Sequence, residues 1–451
     1  MRALRRVALL TVLLAPGACA GPDGPAGVAG SNGEAGAQGT AGPMGAMGPA
    51  GPAGGSSLDG SVASIPVSCL SPCHGFNGVV AQFQTSVHYT EYLVNVASAA
   101  PETAWTTTGA ACGNCHAIDG LQQRVTGNVG TTDGGAVVNL ASGELQYRDP
   151  ATGALSTSNY LGTATVAEVY CTTCHAVTDA NDPHKTGIPW TPGSFPLQIS
   201  EDGGAINIER SPSVAGVTGT QASGPNGGNF GPGATCMWCH RSRVDVTNYL
   251  TTIGNAITST RWGPHEGPQA DLFTGVGGYQ YAGKTYGQAT HEQKLSCVDC
   301  HMVSVAENSN VADHSFTPQL SACLGCHAGA SSFDVSGFET DVQSALTVME
   351  TFLNAQGLLT RASAAAATAP FYPPLTGAQL GDGNWSQDNP VPGASLGGGT
   401  LTEDQAGGIY NYILISRGGA YGVHNPKYIG ELLYDSYVAV AGAPLPGFAR
   451  P

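Results

Sequence analysis

Apolar side chains recur at helical spacing mainly in the last quarter of the chain. Phe338, Val342, Leu346, Met349 and Leu353 follow one another at intervals of three or four residues. This spacing, close to the helical repeat of about 3.6 residues, places all five on one face. The pattern predicts a long amphipathic helix over residues 337–361.

Two further helices are predicted from the residues that would begin them. Thr402 stands three residues before a glutamine, which is the capping-box pattern, so a helix is expected from there to about Arg417. Asn425 followed by Pro426 forms a favourable N-cap and first helical position. This pair predicts a helix that runs to about Ala441.

Glycine and proline interrupt the apolar pattern over most of the remaining chain. The 451 residues include 65 glycines and 29 prolines, and only 11% are charged. We therefore expect short helices and loops over residues 57–330, and a surface loop from Ala369 to Gly399. The predicted fold class is mainly α with extensive coil, low β content and long helices near the C-terminus.

The N-terminus reads as a secretory signal over residues 1–19. Arg2, Arg5 and Arg6 precede the apolar run from Val7 to Ala15, and small residues follow. The protein is therefore expected to be exported. No later segment has the roughly 18 consecutive apolar residues needed to cross a bilayer, so we expect attachment to a membrane only through a lipid or a partner.

Cys19 leaves two processing alternatives open. The run Ala18-Cys19-Ala20 fits an A-x-A cleavage site, whereas the run from Pro16 to Cys19 resembles a bacterial lipobox whose cysteine would be lipidated. We favour lipidation, because a spacer-like segment begins two residues after Cys19. The expected location is an outer-membrane lipoprotein or the cell surface, with the periplasm as the alternative.

A collagen-like segment fills most of residues 20–56. From Gly21 to Gly54 every third residue is glycine, twelve in one unbroken register. Only glycine fits at the axis of a collagen triple helix, so this pattern predicts either trimerisation or a semi-extended monomeric stalk. In both cases the segment acts as a spacer and contributes nothing to an apolar core.

The chain is acidic overall. Its formal net charge is −16, and removal of Arg2, Arg5 and Arg6 with the signal would take it to −19. Nucleic acid and anionic lipid surfaces are therefore not expected partners. A basic or metal-bearing partner fits the acidic surface better.

Twelve of the thirteen cysteines fall into six short motifs, each followed by a histidine. Five are C-x-x-C-H: Cys112/Cys115/His116, Cys171/Cys174/His175, Cys236/Cys239/His240, Cys297/Cys300/His301 and Cys323/Cys326/His327. The sixth, Cys69/Cys73/His74, has one extra residue between its cysteines. Disulfide frameworks and zinc sites do not require a histidine after every second cysteine, whereas haem c attachment does. The motifs predict six covalently attached haem c groups, with the motif histidines as iron ligands.

The remaining histidines equal the haems in number. Outside the motifs the chain has six: His88, His184, His265, His291, His314 and His424. We predict that each is the second ligand of one iron; Met349 is the most plausible competing thioether. His291 and His314 lie close to the last two motifs in sequence, which predicts a closely packed haem pair there.

Three runs resemble the multihaem cytochromes related to pentahaem nitrite reductases and hydroxylamine oxidoreductases. They are Trp262-Gly-Pro-His265-Glu-Gly-Pro-Gln, Cys297-Val-Asp-Cys300-His301-Met302 with Asp313-His314-Ser-Phe316, and Gly422-Val-His424-Asn425-Pro426. The resemblance, over about residues 230–440, implies a chain of stacked haems with long C-terminal helices, and distal ligand roles for His265, His314 and His424.

One departure from that family concerns its active site. The nitrite-reducing members carry a lysine ligand in a C-x-x-C-K motif, but Lys185, Lys284, Lys294 and Lys427 follow no C-x-x-C. Substrate chemistry at an iron is therefore less expected than electron transfer.

The predicted domains are the signal, the stalk, a hexahaem domain over 57–330 and a helical region over 331–451 that packs on it. The predicted function is electron transfer through low-spin haems with two histidine ligands each, to other redox proteins or an extracellular acceptor. Two alternatives stay open at this point. One is a subunit of a haem-wire filament. The other is an oxidoreductase that reduces a small nitrogen or sulfur oxyanion at one open haem, for which the irregular motif Cys69/Cys73/His74 is the first candidate.

Overall fold

The long helices near the C-terminus form the largest apolar core of the described residues. A computed structural model describes residues 78–89, 113–125, 138–139, 145–148, 155–156, 168–188, 190, 195–198, 231–237, 239–242, 246, 249–250, 254–260, 262–305, 308–361 and 388–451. The described part is mainly helical with few strands and much coil. Residues 65–451 belong to one compact unit; the other unit, Met1–Ser64, lies outside the described residues. The predicted signal, the stalk and Cys19 all belong to Met1–Ser64 and so lie outside the described residues.

Among the described residues, the helices are short before residue 337 and long after it, and the strands are short throughout. The helices are α1 Val79–Gln84, α2 Gly113–His116, α3 Gly120–Val125, α4 Cys171–Cys174, α5 Pro183–Thr186, α6 Gly233–Met237, α7 Gln269–Phe273, α8 Thr290–Lys294, α9 Cys297–His301, α10 Phe338–Ala355, α11 Glu403–Gly418 and α12 Pro426–Ala441. The strands are β1 Val138–Asn139, β2 Leu145–Arg148, β3 Leu155–Ser156, β4 Ser304–Val305, β5 Asn308–Ala312, β6 Leu359–Arg361 and β7 Asp388–Pro390. The sheets are antiparallel, with strand orders β1-β2-β3, β4-β5 and β6-β7.

Helix α10 begins as predicted but ends earlier. Val342, Leu346, Met349 and Leu353 are fully buried, so the apolar face lies against the core as the spacing indicated. The prediction of helix to residue 361 is wrong, because the helix ends at Ala355 and the chain turns into β6, which pairs with β7. The same pairing corrects the surface loop predicted over 369–399: its residues 388–390 form a strand, and 369–387 lie outside the described residues.

The predicted starts of α11 and α12 are confirmed. The Thr402 hydroxyl accepts from the Gln405 backbone N–H at 3.2 Å, and Gln405 Oε1 accepts from the Thr402 N–H at 3.0 Å. Asn425 Oδ1 accepts from the Tyr428 N–H at 3.3 Å, with Pro426 in the first turn. Both ends are thus fixed by short-range capping bonds.

Helices α11 and α12 pack together through a buried polar contact as well as apolar side chains. Asn411 is fully buried within α11. Its Nδ2 donates to the Ser436 hydroxyl of α12 and to the Tyr279 carbonyl, both at 2.9 Å, and its Oδ1 accepts from the Tyr279 N–H at 2.7 Å. Every polar group of this buried amide side chain therefore has a partner, which ties the loop around Tyr279 to the helix pair. In the described part, no helix is both long and apolar enough to span a bilayer.

Candidate functional site

Each described C-x-x-C-H motif lies on a short helical turn. In three motifs the backbone N–H of the histidine donates to the carbonyl of the first cysteine, one turn earlier. The distances are 2.9 Å for His175 to Cys171, 3.0 Å for His240 to Cys236 and 2.7 Å for His327 to Cys323. In the other two, His116 ends α2 and His301 ends α9. The turn brings the thiols and the imidazole of a motif together, as thioether attachment to one ligand requires.

The second cysteine of each regular motif lies on the same turn. The Cys239 N–H donates to the Cys236 carbonyl at 3.2 Å, and the Cys326 N–H donates to the Cys323 carbonyl at 3.1 Å. Cys115 lies within α2, one residue before His116. These bonds hold the second cysteine within one turn of the first, so both thiols of a motif can reach one ligand.

Nine of the twelve cysteines predicted to attach haem lie among the described residues, and none of these nine forms a disulfide. They are Cys115, Cys171, Cys174, Cys236, Cys239, Cys297, Cys300, Cys323 and Cys326. Cys171 and Cys326 are exposed, and the other seven are partly buried. The disulfide alternative is therefore not realised at these nine positions. Their predicted thioether bonds stay a prediction from the C-x-x-C-H spacing, because a thioether forms only by reaction with a porphyrin vinyl group.

Motifs that follow one another in sequence also lie beside one another in space. The Thr173 hydroxyl of the second regular motif donates to the Ile118 carbonyl just after the first, at 3.0 Å. A Cβ on Gly233, at the start of α6, would lie 3.2 Å from the Cys297 sulfur, so α6 and α9 are in close contact. The Gln319 N–H donates to the Cys300 carbonyl at 3.1 Å, which brings the segment before the last motif onto α9.

The motif thiols are also electrostatically coupled. Burial raises the pKa of Cys174 to about 12, and the nearby Cys236 and Cys171 thiols add to the rise. A hydrogen bond between Cys236 and Cys297 lowers the pKa of Cys236 and raises the pKa of Cys297. Burial raises the pKa of Cys300, and the nearby Cys323 thiol adds to it. From Cys171 to His327, each motif therefore has a thiol close to a thiol of the next motif in sequence.

Five motif histidines each face one histidine from outside the motifs. The pairs, with the separation of their ring centroids and the angle between ring planes, are His88–His240 at 6.0 Å and 69°, His116–His265 at 6.5 Å and 59°, His175–His314 at 6.3 Å and 24°, His291–His327 at 6.0 Å and 85°, and His301–His424 at 6.3 Å and 42°. Each described motif histidine thus has one partner, and no partner is shared between these pairs.

The separations are those expected for two imidazoles on opposite sides of one metal ion. A metal–imidazole nitrogen bond is about 2.0–2.1 Å long, and the nitrogen lies about 1.1 Å from the ring centroid, so the two centroids should be about 6.2 Å apart. The five observed values lie between 6.0 and 6.5 Å. Ordinary aromatic packing covers the same range, since Trp262–Tyr410 and Phe338–Phe448 are 6.3 and 6.4 Å apart. The feature that points to a shared ligand is that each described motif histidine is paired with a different non-motif histidine.

Six of these histidines have an oxygen acceptor at Nδ1. Three are motif histidines and three are non-motif histidines. The bonds run from His175 to the Pro196 carbonyl at 3.1 Å, His240 to Gln269 Oε1 at 3.0 Å, His301 to the Phe316 carbonyl at 2.9 Å, His265 to the Glu266 carbonyl at 2.8 Å, His291 to the Val423 carbonyl at 2.7 Å and His314 to the Ala312 carbonyl at 2.8 Å. An oxygen acceptor requires the proton at Nδ1, so Nε2 keeps its lone pair for a metal.

Burial favours the neutral form of several of these rings. It lowers the pKa of His175 and of His314. It lowers the pKa of His424 to about 3, with further lowering from the nearby His301, His291 and His240. At neutral pH these imidazoles are uncharged, which is the form that binds a metal.

The loop before α12 positions two of the five pairs. Gly422, with φ of 103°, and Tyr421, with φ of 38°, have left-handed backbone conformations. They direct the Val423 carbonyl to the His291 ring and leave His424 at the entry to α12, facing His301. A non-glycine residue in the left-handed region costs about 1–3 kcal/mol, and such strain is concentrated at functional sites.

The remaining predicted site residues lie wholly or partly outside the described residues. These are Cys69, Cys73, His74 and Cys112, together with the side chain of His184, whose backbone belongs to α5. Met349 is fully buried in the helical core around α10, α11 and α12, so it packs there as an apolar side chain. In the described chain, no three His, Cys, Asp or Glu side chains cluster around a common metal position.

Sequence reasoning did not identify the Nδ1 acceptors or the pairing of the histidines. Five of the six acceptors are backbone carbonyls, which any residue can supply, so no residue type marks them. Comparisons of this chain with family models, with curated proteins and with solved structures yield no match.

Proposed function

We propose that this chain is an exported multihaem c-type cytochrome that carries electrons. The observation that supports this most strongly is the set of five histidine pairs. Each joins one C-x-x-C-H histidine to one histidine from elsewhere, with ring centroids 6.0–6.5 Å apart. The sequence motifs and the ring geometry are independent of each other, and both favour the same ligand.

The described residues fit haem c in three respects. The described motif thiols are not consumed by disulfides, the imidazoles are held one helical turn from the first thiol, and a second imidazole stands across from each. The two imidazoles of a pair would be the iron ligands of a haem c attached at the motif cysteines. Haem bound in this way supplies a one-electron couple.

One motif histidine and its partner from outside the motifs would hold each such iron. Six of the ten paired imidazoles have an oxygen acceptor at Nδ1 and so would offer Nε2 to iron, and two imidazoles on each iron would leave no open position for a substrate. Because neighbouring motifs are in contact, the haems that His116, His175, His240, His301 and His327 would hold could exchange electrons with their neighbours. Electron transfer therefore explains the arrangement better than catalysis does.

The sixth motif determines whether the alternative functions apply. The five pairs use ten of the twelve histidines, which leaves His74 and His184. By count, these two remain for the sixth predicted haem; both side chains lie outside the described residues. Donation of His184 to a second copy would instead make a filament, and an open iron at His74 would allow small-molecule chemistry.

The N-terminal signal and collagen-like stalk suggest where the electrons go. A lipid-anchored or secreted domain on a spacer suits delivery to another redox protein or to an acceptor outside the cell. The net charge of −16 favours a basic or metal-bearing partner.

The test uses the exported, full-length protein. The haem content per chain is counted as the pyridine haemochrome, and the ferric spin state is measured by EPR. We expect six haems, all low-spin. The variant His314→Ala should convert one haem in six to high-spin, whereas Thr317→Ala, an exposed neighbour, should convert none. A chain without covalent haem, or a His314→Ala variant with an unchanged spectrum, would refute the proposal.

A further inference from the structure

Phe316 lies where three of the five histidine pairs meet. Its ring centroid is 5.0 Å from that of His88 and 5.9 Å from that of His314. Its carbonyl accepts the Nδ1 proton of His301 at 2.9 Å. One residue thus contacts the pairs His88–His240, His175–His314 and His301–His424, two through its ring and one through its backbone.

The backbone of Phe316 has a conformation that L-residues rarely adopt. Its φ is 56°, in the left-handed region. Asp313 stabilises the turn that leads to it: Oδ1 accepts from the Ser315 N–H at 2.8 Å, and Oδ2 accepts from Gln319 Nε2 at 2.9 Å. In this conformation the carbonyl faces His301 while the ring faces His88 and His314.

The same turn holds the N-terminal segment that carries His88. The His314 N–H donates to Gln82 Oε1 at 3.0 Å, and Phe83 packs edge-on against Phe316 with centroids 6.4 Å apart. Phe83 is buried, so this contact is sheltered from water. His88 thereby reaches His240 from a segment far away in sequence.

We propose that Phe316 is a positioning residue for three irons at once. Its ring sets the orientation of the His88 and His314 imidazoles, and its carbonyl sets the electron-donating strength of His301. This inference rests on the proposed function, since it requires that the three pairs bind haem iron. An acceptor at the second ring nitrogen fixes the orientation of a ligating imidazole and raises its basicity, and loss of such a partner typically costs about 10–100-fold in metal affinity or activity.

Two substitutions separate the ring from the carbonyl. Phe316→Gly removes the ring, while glycine still adopts the left-handed conformation and keeps the carbonyl in place. Phe316→Pro fixes φ near about −65° and so turns the carbonyl away from His301. Phe352→Ala is the matched control, because it removes an aromatic ring that packs on Tyr437 in the helical core.

The experiment uses the full-length haem-loaded protein, with EPR of the ferric state and a spectroelectrochemical titration. Phe316→Gly should keep the full haem count and change the low-spin signals of two haems, because the ring planes of His88 and His314 are released. It should leave the reduction of the His301 haem unchanged. Phe316→Pro should in addition raise the ratio of reduced to oxidised haem at that site about tenfold, which is about 59 mV for one electron.

The outcomes distinguish this inference from the proposed function. Wild-type protein without covalent haem refutes the proposed function itself. A full haem count in Phe316→Gly, with the same EPR signals as wild type and Phe352→Ala, refutes the role of the ring. Unchanged titration of Phe316→Pro refutes the role of the carbonyl. If that variant is not exported, Phe316→Val tests the same step, because a β-branched residue disfavours the left-handed region more strongly than phenylalanine does.

Discussion

Replacement of Asn425 by alanine should damage both the stability of the fold and one histidine pair. Asn425 is fully buried and follows His424 directly in the chain. Its Oδ1 accepts from the N–H groups of Tyr428 and Ala289, at 3.3 and 3.1 Å. Its Nδ2 donates to the Phe273 carbonyl at 3.1 Å and to Gln288 Oε1 at 2.8 Å.

The magnitude follows from these four bonds. Loss of the N-cap bond to the Tyr428 N–H costs about 1 kcal/mol. Each of the other three bonds contributes about 0.5–1.5 kcal/mol, because their partners are wholly or partly buried and lose their bonding group. The total is roughly 3–5 kcal/mol of the free energy of unfolding, a large fraction of what a domain usually has.

Thr402→Ala is the control for the capping bond alone. Thr402 caps α11 in the same way, but it is exposed, so its loss should cost only about 1 kcal/mol. Urea unfolding followed by far-UV circular dichroism measures both variants. Equal losses in the two would show that the buried bonds of Asn425 contribute nothing.

The same variant tests the link between this cap and the site. Asn425 fixes the entry to α12, so its loss should let His424 move away from His301. The ferric EPR spectrum of Asn425→Ala should then contain a high-spin fraction that Thr402→Ala lacks. A destabilised Asn425→Ala protein with fully low-spin haem would refute this coupling.

Two further predictions concern charge. Arg450→Ala should lower the free energy of unfolding by about 3 kcal/mol, because the buried carboxylates of Asp435 and Glu431 lose the guanidinium that lies 3.1 and 3.4 Å away. Lys284, half-exposed and in the same cluster, is the control, and Lys284→Ala should cost under about 1 kcal/mol. Urea midpoints of the two variants check this, and a larger loss for Lys284→Ala would contradict it. Acid should also destabilise the protein: burial lowers the pKa of His424 below its usual value of 6.5, so the unfolded chain takes up the proton first. This stabilisation is complete above pH 6.5 and is lost as the pH falls below it; a urea midpoint that stays constant from about pH 7 to about pH 4 would contradict it.

Local signals in the sequence predicted the helices that depend on local bonds. The starts at Thr402 and Asn425 were predictable because a capping side chain bonds an N–H only three residues away. The end of α10 was not predictable from the sequence, because Leu359–Arg361 pairs with a strand about 30 residues later in the chain. The choice between helix and strand there depends on a partner that periodicity cannot identify.

In the candidate site, too, the residues that are adjacent in sequence were predictable and the long-range contacts were not. The C-x-x-C-H motifs are contiguous, so the cysteines and motif histidines could be read directly from the chain. Which second histidine faces each of them depends on the fold: His265 faces His116, and His88 faces His240. The carbonyl of Phe316 that accepts from His301 belongs to the backbone, so its residue type gives no signal of that role.

Most of the histidine pairs join residues far apart in sequence, so these pairs can form only late while the protein is being made. Four of the five pairs join residues roughly 120–150 positions apart, and only His291–His327 is local. During synthesis, which runs from the N-terminus, His301 emerges long before His424 can face it. The assembly intermediates therefore lack one member of each such pair, and the segment that carries His424 and α12 completes the pair of His301. Such high contact order favours slow maturation, and a truncation just before His424 should stop maturation one site short of completion.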